Sequence, residues 1–291
     1  MADADYITVS TVEEALAVLT SLRGAGRIIA GGTDLMIQLQ RGDREVGCLV
    51  DITRIPGLAD IQRNNPFIVV GAAATFAQIE RSPLIRDWAP VLGEASSWVG
   101  SPQIRNVGTL AGNVVNAQPA ADGSIALLAL DAEAEIANLT GRQWVPVTSL
   151  FVSPGVSRLD ASTEMITAFR FPVRPPREGA AFERIARRKA LALPLINVAV
   201  RVLLDTSGDL IRDARIAIGP VAPVPFRAQE AEKALRGHGI SAEIISEASE
   251  AAVHESRPRS SMLRASKEYR RELIRTLTNR ALTRAIERAR G

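Results

Sequence analysis

The pattern of apolar and polar positions divides the chain into short helices and strands without an internal repeat. A helical spacing of apolar residues begins after Thr11, and Glu14 stands at the capping-box position three residues later. Short continuous apolar runs, and one alternating run that ends at Pro172, predict strands. The predicted strands are 27–30, 48–52, 67–70, 165–171, 196–204 and 215–218. The predicted helices are 12–22, 76–81, 91–99, 124–130, 228–235, 242–253 and 266–288.

Prolines mark the main interruption of this pattern. The sequence Arg174-Pro175-Pro176-Arg177 follows the strand 165–171 and forms a stiff break. We place the domain boundary there, with residues 1–175 in one domain, made of subdomains of about 1–55 and 56–175, and residues 176–291 in the other. At 291 residues, 46% of them hydrophobic, the chain is long enough for each domain to have its own core.

The sequence gives no sign of secretion or of a membrane helix. Cys48 is the single cysteine and has no partner for a disulfide. No apolar run approaches the ~18 residues that a membrane helix needs, and the N-terminus is acidic where a secretory signal is basic. We therefore expect a cytoplasmic protein without a membrane span.

The formal charge is only +3, but basic residues are concentrated at the end of the chain. From Arg257 onward, eleven Lys and Arg residues stand against three Glu residues. This segment is either a nucleic-acid surface or an amphipathic helix with a solvated basic face. The helical spacing of its apolar residues and its single aromatic residue, Tyr269, favour the helix, because unpaired bases need aromatic rings on which to stack. We expect no binding to nucleic acid.

Two segments that we predict to be glycine-rich loops, residues 28–35 and 107–113, are the candidates for ligand binding. A pyrophosphate needs close backbone approach and several N–H donors that point to one place. Glycines allow both, because they lack Cβ and tolerate positive φ. On spacing alone, either segment is more often an ordinary turn than a cofactor site.

The sequence lacks the motifs of several other kinds of site. No G-x-G-x-x-G follows a predicted strand, and no P-loop, H-E-x-x-H, C-x-x-C or G-x-S-x-G is present. The two histidines, His238 and His254, lie in polar stretches. We therefore expect no metal site and no side chain for nucleophilic catalysis.

The motifs Ala30-Gly31-Gly32-Thr33-Asp34-Leu35 and Thr109-Leu110-Ala111-Gly112-Asn113 occur together, and Pro119-Ala120-Ala121-Asp122 follows them. This combination resembles the FAD-binding medium subunit of the molybdenum hydroxylases, the family of xanthine dehydrogenase and aerobic carbon monoxide dehydrogenase. Residues 187–190 and 263–271 are also similar to segments of that family's C-terminal domain. The resemblance covers nearly the whole chain.

The resemblance implies an α+β fold. A two-part FAD-binding domain of the vanillyl-alcohol-oxidase/PCMH type would precede a C-terminal α+β domain with a small antiparallel sheet and helices. Both glycine segments would wrap the FAD diphosphate, and the flavin would lie between the domains. The residues that the resemblance places at the cofactor are Ile28, Ile29, Ala30, Gly31, Gly32, Thr33, Asp34, Leu35, Val107, Gly108, Thr109, Leu110, Ala111, Gly112, Asn113, Ala121, Asp122, Ile166, Arg184 and Lys189.

Four of these residues carry specific expectations. The Asp122 carboxylate would accept hydrogen bonds from ribityl or ribose hydroxyls, or else would be the N-cap of a helix that begins at Ser124. Arg184 and Lys189 compete for a place beside the flavin pyrimidine, where a cation favours the reduced anion. Ile166 is expected near the flavin or the adenine.

Two further residues differ from what a diphosphate site suggests. Ala111 stands in place of the family's usual glycine, so we expect a negative φ there. Asp34 puts a negative charge beside the expected diphosphate. We therefore expect its side chain to cap the following turn and to point away.

The function that the resemblance implies is that of an FAD-binding electron-transfer subunit in a heteromeric molybdenum hydroxylase. The expected partners are a molybdopterin-binding large subunit and a [2Fe–2S] small subunit, in a dimer of heterotrimers. Electrons would pass from iron–sulfur clusters to FAD and then to NAD⁺, a quinone or oxygen. With one cysteine, this chain cannot itself hold a cluster, which takes about four cysteine ligands. Two alternatives stay open, namely a self-sufficient FAD-dependent oxidoreductase and a basic interaction module.

Overall fold

The computed structural model describes residues 4–261 and 264–291, so Leu263 of the C-terminal similarity lies outside the described residues. These ranges contain a three-stranded sheet, a five-stranded sheet, a four-stranded sheet and a two-stranded hairpin. Within them, no helix is both long and apolar enough to span a lipid bilayer.

The three-stranded sheet is parallel and lies at the start of the chain. Its strands β1 (Asp5–Thr8), β2 (Gly26–Ile29) and β3 (Cys48–Asp51) are ordered β1-β3-β2. Parallel neighbours need a connection that crosses back over the sheet, and helices α1 (Val12–Ser21) and α2 (Leu35–Arg41) lie in these connections. Helix α1 begins where predicted, because the Thr11 hydroxyl accepts from the Glu14 N–H at 3.1 Å.

The five-stranded sheet is antiparallel, and six helices interrupt its sequence. Its strands are β4 (Ile61–Asn64), β5 (Phe67–Gly71), β6 (Glu133–Asn138), β7 (Gly141–Pro146) and β10 (Met165–Pro172), in the order β4-β5-β10-β6-β7. The helices are α3 (Phe76–Arg81), α4 (Pro83–Trp88), α5 (Pro90–Ser97), α6 (Pro102–Val107), α7 (Leu110–Val115) and α8 (Asp122–Ala129). A 3₁₀ helix at Val147–Leu150 leads into the hairpin of β8 (Phe151–Ser153) and β9 (Val156–Ser157).

The four-stranded sheet is also antiparallel and carries three helices. Its strands are β11 (Glu178–Ala186), β12 (Pro194–Leu204), β13 (Ile211–Gly219) and β14 (Phe226–Arg227), in that order. The helices are α9 (Gln229–Leu235), α10 (Ala242–Glu255) and α11 (Lys267–Arg290). Helix α11 lies so close to β11 that a Cβ at Gly179 would stand 1.9 Å from the Ala285 carbonyl oxygen. Only glycine fits there.

Two hydrophobic cores meet at this last sheet. Residues on one face of the sheet, namely Ala180, Phe182, Ala199 and Ala217, belong to the core that the N-terminal helices and the five-stranded sheet form. The other face packs under α9, α10 and α11. Because both faces are covered, β12 is apolar along most of its length, as in a strand buried on both sides.

Most predicted elements are confirmed, with two kinds of error. The elements that were not predicted are strands β1, β4, β6, β7, β8, β9, β11 and β14 and helices α4, α6 and α7. The segment 107–113 is wrong as a loop, because it consists of the end of α6, the pair Gly108-Thr109 and the first four residues of α7.

Candidate functional site

The two glycine segments line one cavity of about 270 Å³. The first joins the end of β2 to the start of α2, and the second joins α6 to α7. They meet because the edge of the parallel sheet lies against the helices that precede α8. Ala72, after β5, and Ile166, in β10, contribute to the opposite wall.

Glycine is required at Gly31 for steric reasons. A Cβ there would lie 2.0 Å from the carbonyl oxygen of Val107, so the two segments touch backbone to backbone. Gly32 has φ +65°, in the left-handed region where other residues are strained. The backbone therefore requires glycine at both positions of the first segment.

The two segments differ in their free hydrogen-bond donors. In the second, Leu110 N–H donates to Ala74 O at 3.1 Å, Gly112 N–H to the Thr109 hydroxyl at 3.2 Å, and Asn113 N–H to Thr109 O at 3.1 Å. In the first, no group among residues 4–261 and 264–291 accepts from the five consecutive N–H groups of residues 31–35. Partly buried N–H groups need an acceptor, and an anion in the cavity would supply one.

Fourteen of the predicted site residues line the cavity. They are Ile28, Ile29, Ala30, Gly31, Gly32, Thr33, Asp34, Leu35, Gly108, Thr109, Ala111, Gly112, Asn113 and Ile166. Six others do not line it, namely Val107, Leu110, Ala121, Asp122, Arg184 and Lys189. Val107 still shapes the site through its carbonyl against Gly31, and the Leu110 side chain is buried in the first core.

The predictions for Ala111 and Asp34 have different outcomes. Ala111 lies in α7 and has the negative φ that was predicted. Asp34 does stand at the N-cap of α2, but its side chain makes no capping hydrogen bond, so that prediction is wrong. Its backbone φ of −102° and ψ of −44° is already helical, whereas a capping side chain needs an extended backbone.

Asp122 forms a buried polar cluster instead of an N-cap. Helix α8 begins at Asp122 itself with Ala121 at the N-cap, so the N-cap alternative is wrong. The Asp122 carboxylate accepts from Arg184 Nε at 3.1 Å and from Asn197 Nδ2 at 2.6 Å. Burial raises the pKa of Asp122 to about 6, although the Arg184 guanidinium and the Asn197 hydrogen bond act in the opposite direction.

Arg184 connects this cluster to the segment that follows β11. Its Nη2 donates to the carbonyl of Ala192, and its guanidinium lies 5.4 Å from the centre of the Trp98 ring. Leu191 N–H in the same segment donates to Gly100 O at 3.1 Å. Residues 187–193 are thus tied to the N-terminal part of the chain, and the exposed Lys189 belongs to this connection.

Sequence reasoning missed several polar residues. Arg27, Gln38, Arg44, Asn116 and Glu164 also line the cavity, and their types gave no signal for it. Asn197 was missed too, although a polar residue inside the apolar run 196–204 was a usable sign. Such a residue must find partners when it is buried.

Comparison with known proteins places this architecture among characterised relatives. Residues 2–174 match the family model for the FAD binding domain in molybdopterin dehydrogenase, and residues 180–285 match that for the CO dehydrogenase flavoprotein C-terminal domain. The chain is 36% identical over 286 residues to the 6-hydroxypseudooxynicotine dehydrogenase complex subunit alpha of Paenarthrobacter nicotinovorans, covering 98% of this chain and 95% of the relative. It is 33% identical to a putative xanthine dehydrogenase FAD-binding subunit of Escherichia coli K12, covering 99% and 98%.

Solved structures agree with these relatives. The carbon monoxide dehydrogenase of Hydrogenophaga pseudoflava matches with a TM-score of 0.92 at 28% identity, over 98% of both chains. Quinoline 2-oxidoreductase of Pseudomonas putida 86 matches with a TM-score of 0.90 at 27% identity, also over 98% of both chains. The matches confirm the predicted family and the α+β fold with an FAD-binding domain followed by a C-terminal flavoprotein domain.

Proposed function

The chain belongs to the family of FAD-binding medium subunits of molybdenum hydroxylases, and from that premise we propose that it receives electrons from a partner subunit and passes them on through FAD. As a member of this oxidoreductase family, it has FAD as its cofactor. The observation that best supports a cofactor at the cavity is the run of five N–H groups, residues 31–35, for which the described part of the chain offers no acceptor.

The residues present fit the diphosphate end of FAD. The free N–H groups supply donors for phosphate oxygens, and Gly31 and Gly32 allow the backbone to come close. A volume of about 270 Å³ is near the lower end of the roughly 300–1,000 Å³ that ligand pockets have. The cavity therefore accounts for part of the dinucleotide, and the flavin would extend beyond it.

The chain's own residues bind and orient the cofactor. FAD, when bound, supplies the capacity to take up electrons and release them singly or in pairs. The first glycine segment would hold the diphosphate. The second segment is fixed by Thr109, which accepts from the Gly112 N–H, and by Asn113, which accepts from the Ser124 N–H in α8. The Arg184–Asp122 pair holds residues 187–193 beside the N-terminal part, where the flavin ring would be shielded from water.

Several finer points belong to the same proposal. The partners would be a molybdopterin-binding large subunit and a [2Fe–2S] small subunit, in a dimer of heterotrimers, and the electron acceptor would be NAD⁺, a quinone or oxygen. The single cysteine supports placing the clusters on a partner. We also propose a cytoplasmic location, a domain boundary at residue 175, and FAD contacts for the predicted site residues.

Flavin binding and electron donors test the proposal directly. The purified chain should be yellow or should bind added FAD, and its flavin should be reduced only when the partner subunits and their substrate are present. A folded but colourless chain that ignores FAD would contradict the proposal. Reduction of the flavin by an organic donor in the isolated chain would instead favour a self-sufficient oxidoreductase.

A further inference from the structure

Five exposed cations lie together just before α11 and in its first turns, and we define them as the basic surface: Arg257, Arg259, Arg264, Lys267 and Arg271. Hydrogen bonds fold this segment back onto itself. The Lys267 N–H donates to the Ser260 hydroxyl at 2.9 Å, and the Ser261 N–H donates to Ala265 O at 3.0 Å. The five charges therefore share one region of the surface.

None of these five cations forms a salt bridge in the described part of the chain, although the Glu268 carboxylate interacts electrostatically with Lys267 and Arg271. No carboxylate within residues 4–261 and 264–291 lies within salt-bridge distance of any of the five, and Glu268 is the single acidic residue between Arg257 and Arg271. Other arginines of the C-terminal part are neutralised. Three of them pair with Asp131, and two on α11 pair with Glu94. Folding thus accounts for those charges but leaves the basic surface unexplained.

The basic surface adjoins the segment beside the proposed flavin position. Between its last two members in sequence lies Arg270, which is buried and donates from Nη1 to Leu195 O at 2.8 Å. Leu195 is the second residue of β12, which follows the connection 187–193, and Leu191 in that connection is hydrogen-bonded to Gly100. A molecule bound at the basic surface would therefore stand next to this connection.

We propose that the basic surface docks an acidic face of a partner protein. A surface with an excess of positive charge raises the local concentration of an acidic partner and speeds its association. A nucleic acid suits this surface less well, because single strands need aromatic rings for stacking and Tyr269 is the one aromatic residue after Arg257. Because the partner is taken to be a chain of the same complex, the identity of the partner rests on the proposed function.

The test compares two charge reversals in the purified complex. Lys267→Glu with Arg271→Glu changes the basic surface. Arg212→Glu with Arg280→Glu is the matched control, since both are exposed arginines without a salt bridge elsewhere in the described chain. Binding to the partner chains is measured between about 0.01 M and 1 M salt, over which the screening length falls from about 30 Å to about 3 Å. FAD content is recorded for each sample.

We expect the first pair to slow association with the partner chains about 10-fold or more at low salt and to remove most of its salt dependence, while the control behaves as the unmodified chain. If both double variants bind the partner chains equally well and with the same salt dependence, in samples that retain FAD, the docking proposal is wrong while the proposed function stands. Tight binding to DNA that only the first pair abolishes would also overturn the docking proposal. Loss of FAD from the unmodified chain would count against the proposed function instead.

Discussion

Replacing Gly31 with alanine would push the two glycine segments apart. The new Cβ would lie 2.0 Å from Val107 O and 2.6 Å from Val107 C, whereas nonbonded carbon and oxygen atoms rest at about 3.3 Å. The segments must therefore separate by roughly 1.3 Å, and no side-chain rotation can relieve a contact with backbone atoms. Overpacking of this kind costs about 1–3 kcal/mol. If FAD requires the undistorted arrangement, its affinity falls about 5- to 140-fold.

The affinity is measured by titrating the flavin-free protein with FAD and following flavin fluorescence. Gly47→Ala is the matched control, because its Cβ would meet Ala25 Cβ at an ordinary 3.4 Å and its φ is not in the left-handed region. Circular dichroism shows whether both variants keep the fold. If Gly31→Ala binds FAD as tightly as Gly47→Ala, the close approach of the two segments does not support cofactor binding.

Three further changes test contacts outside the cavity that stabilise the fold. Asp131→Asn leaves three arginines without their shared carboxylate. Because this cluster is only partly buried, the substitution should lower the free energy of unfolding by about 2–3 kcal/mol. Urea denaturation measures the change, and an unchanged midpoint would refute the role of the cluster. Burial raises the pKa of Asp122 from 3.8 to about 6, so the stability it contributes is complete below about pH 4 and is lost as pH rises through 6. Asp122→Asn should flatten that part of the stability profile, and an identical profile would contradict the shift. Gly179→Ala puts a Cβ 1.9 Å from Ala285 O and should destabilise the fold by about 1–3 kcal/mol or more. Gly239→Ala should not, because its Cβ would lie 4.0 Å from Asp209 O, an ordinary contact.

Elements with strong local signals could be predicted from sequence alone. The start of helix α3 at Phe76 was predicted correctly, and the structure shows a Thr75–Gln78 capping box that defines this start locally. Strand β11 was missed, since Glu178, Gly179 and Arg184 interrupt any alternation. Its register depends on β12 and on α11, which are distant in sequence.

The candidate site shows the same division. Two short glycine motifs located the cavity, because each marks a place where the backbone needs glycine, as the left-handed φ of Gly32 and the contact of Gly31 with Val107 show. The polar cluster of Asp122, Arg184 and Asn197 joins one helix and two strands. No spacing in the sequence encodes that meeting, so neither the partners of Asp122 nor its raised pKa could be predicted.

The sharing of the first core with the four-stranded sheet bears on how the protein folds during synthesis. Ala180, Phe182, Ala199 and Ala217 complete that core. Asp122, at the start of α8, and Asp131, just after its end, also pair with arginines from the second half of the chain. A nascent chain that ends near residue 175 would therefore expose an apolar face with nothing to cover it. This core is complete only once the chain through β13 has been synthesised. Until then, we expect chaperones to bind the apolar face that the nascent chain exposes.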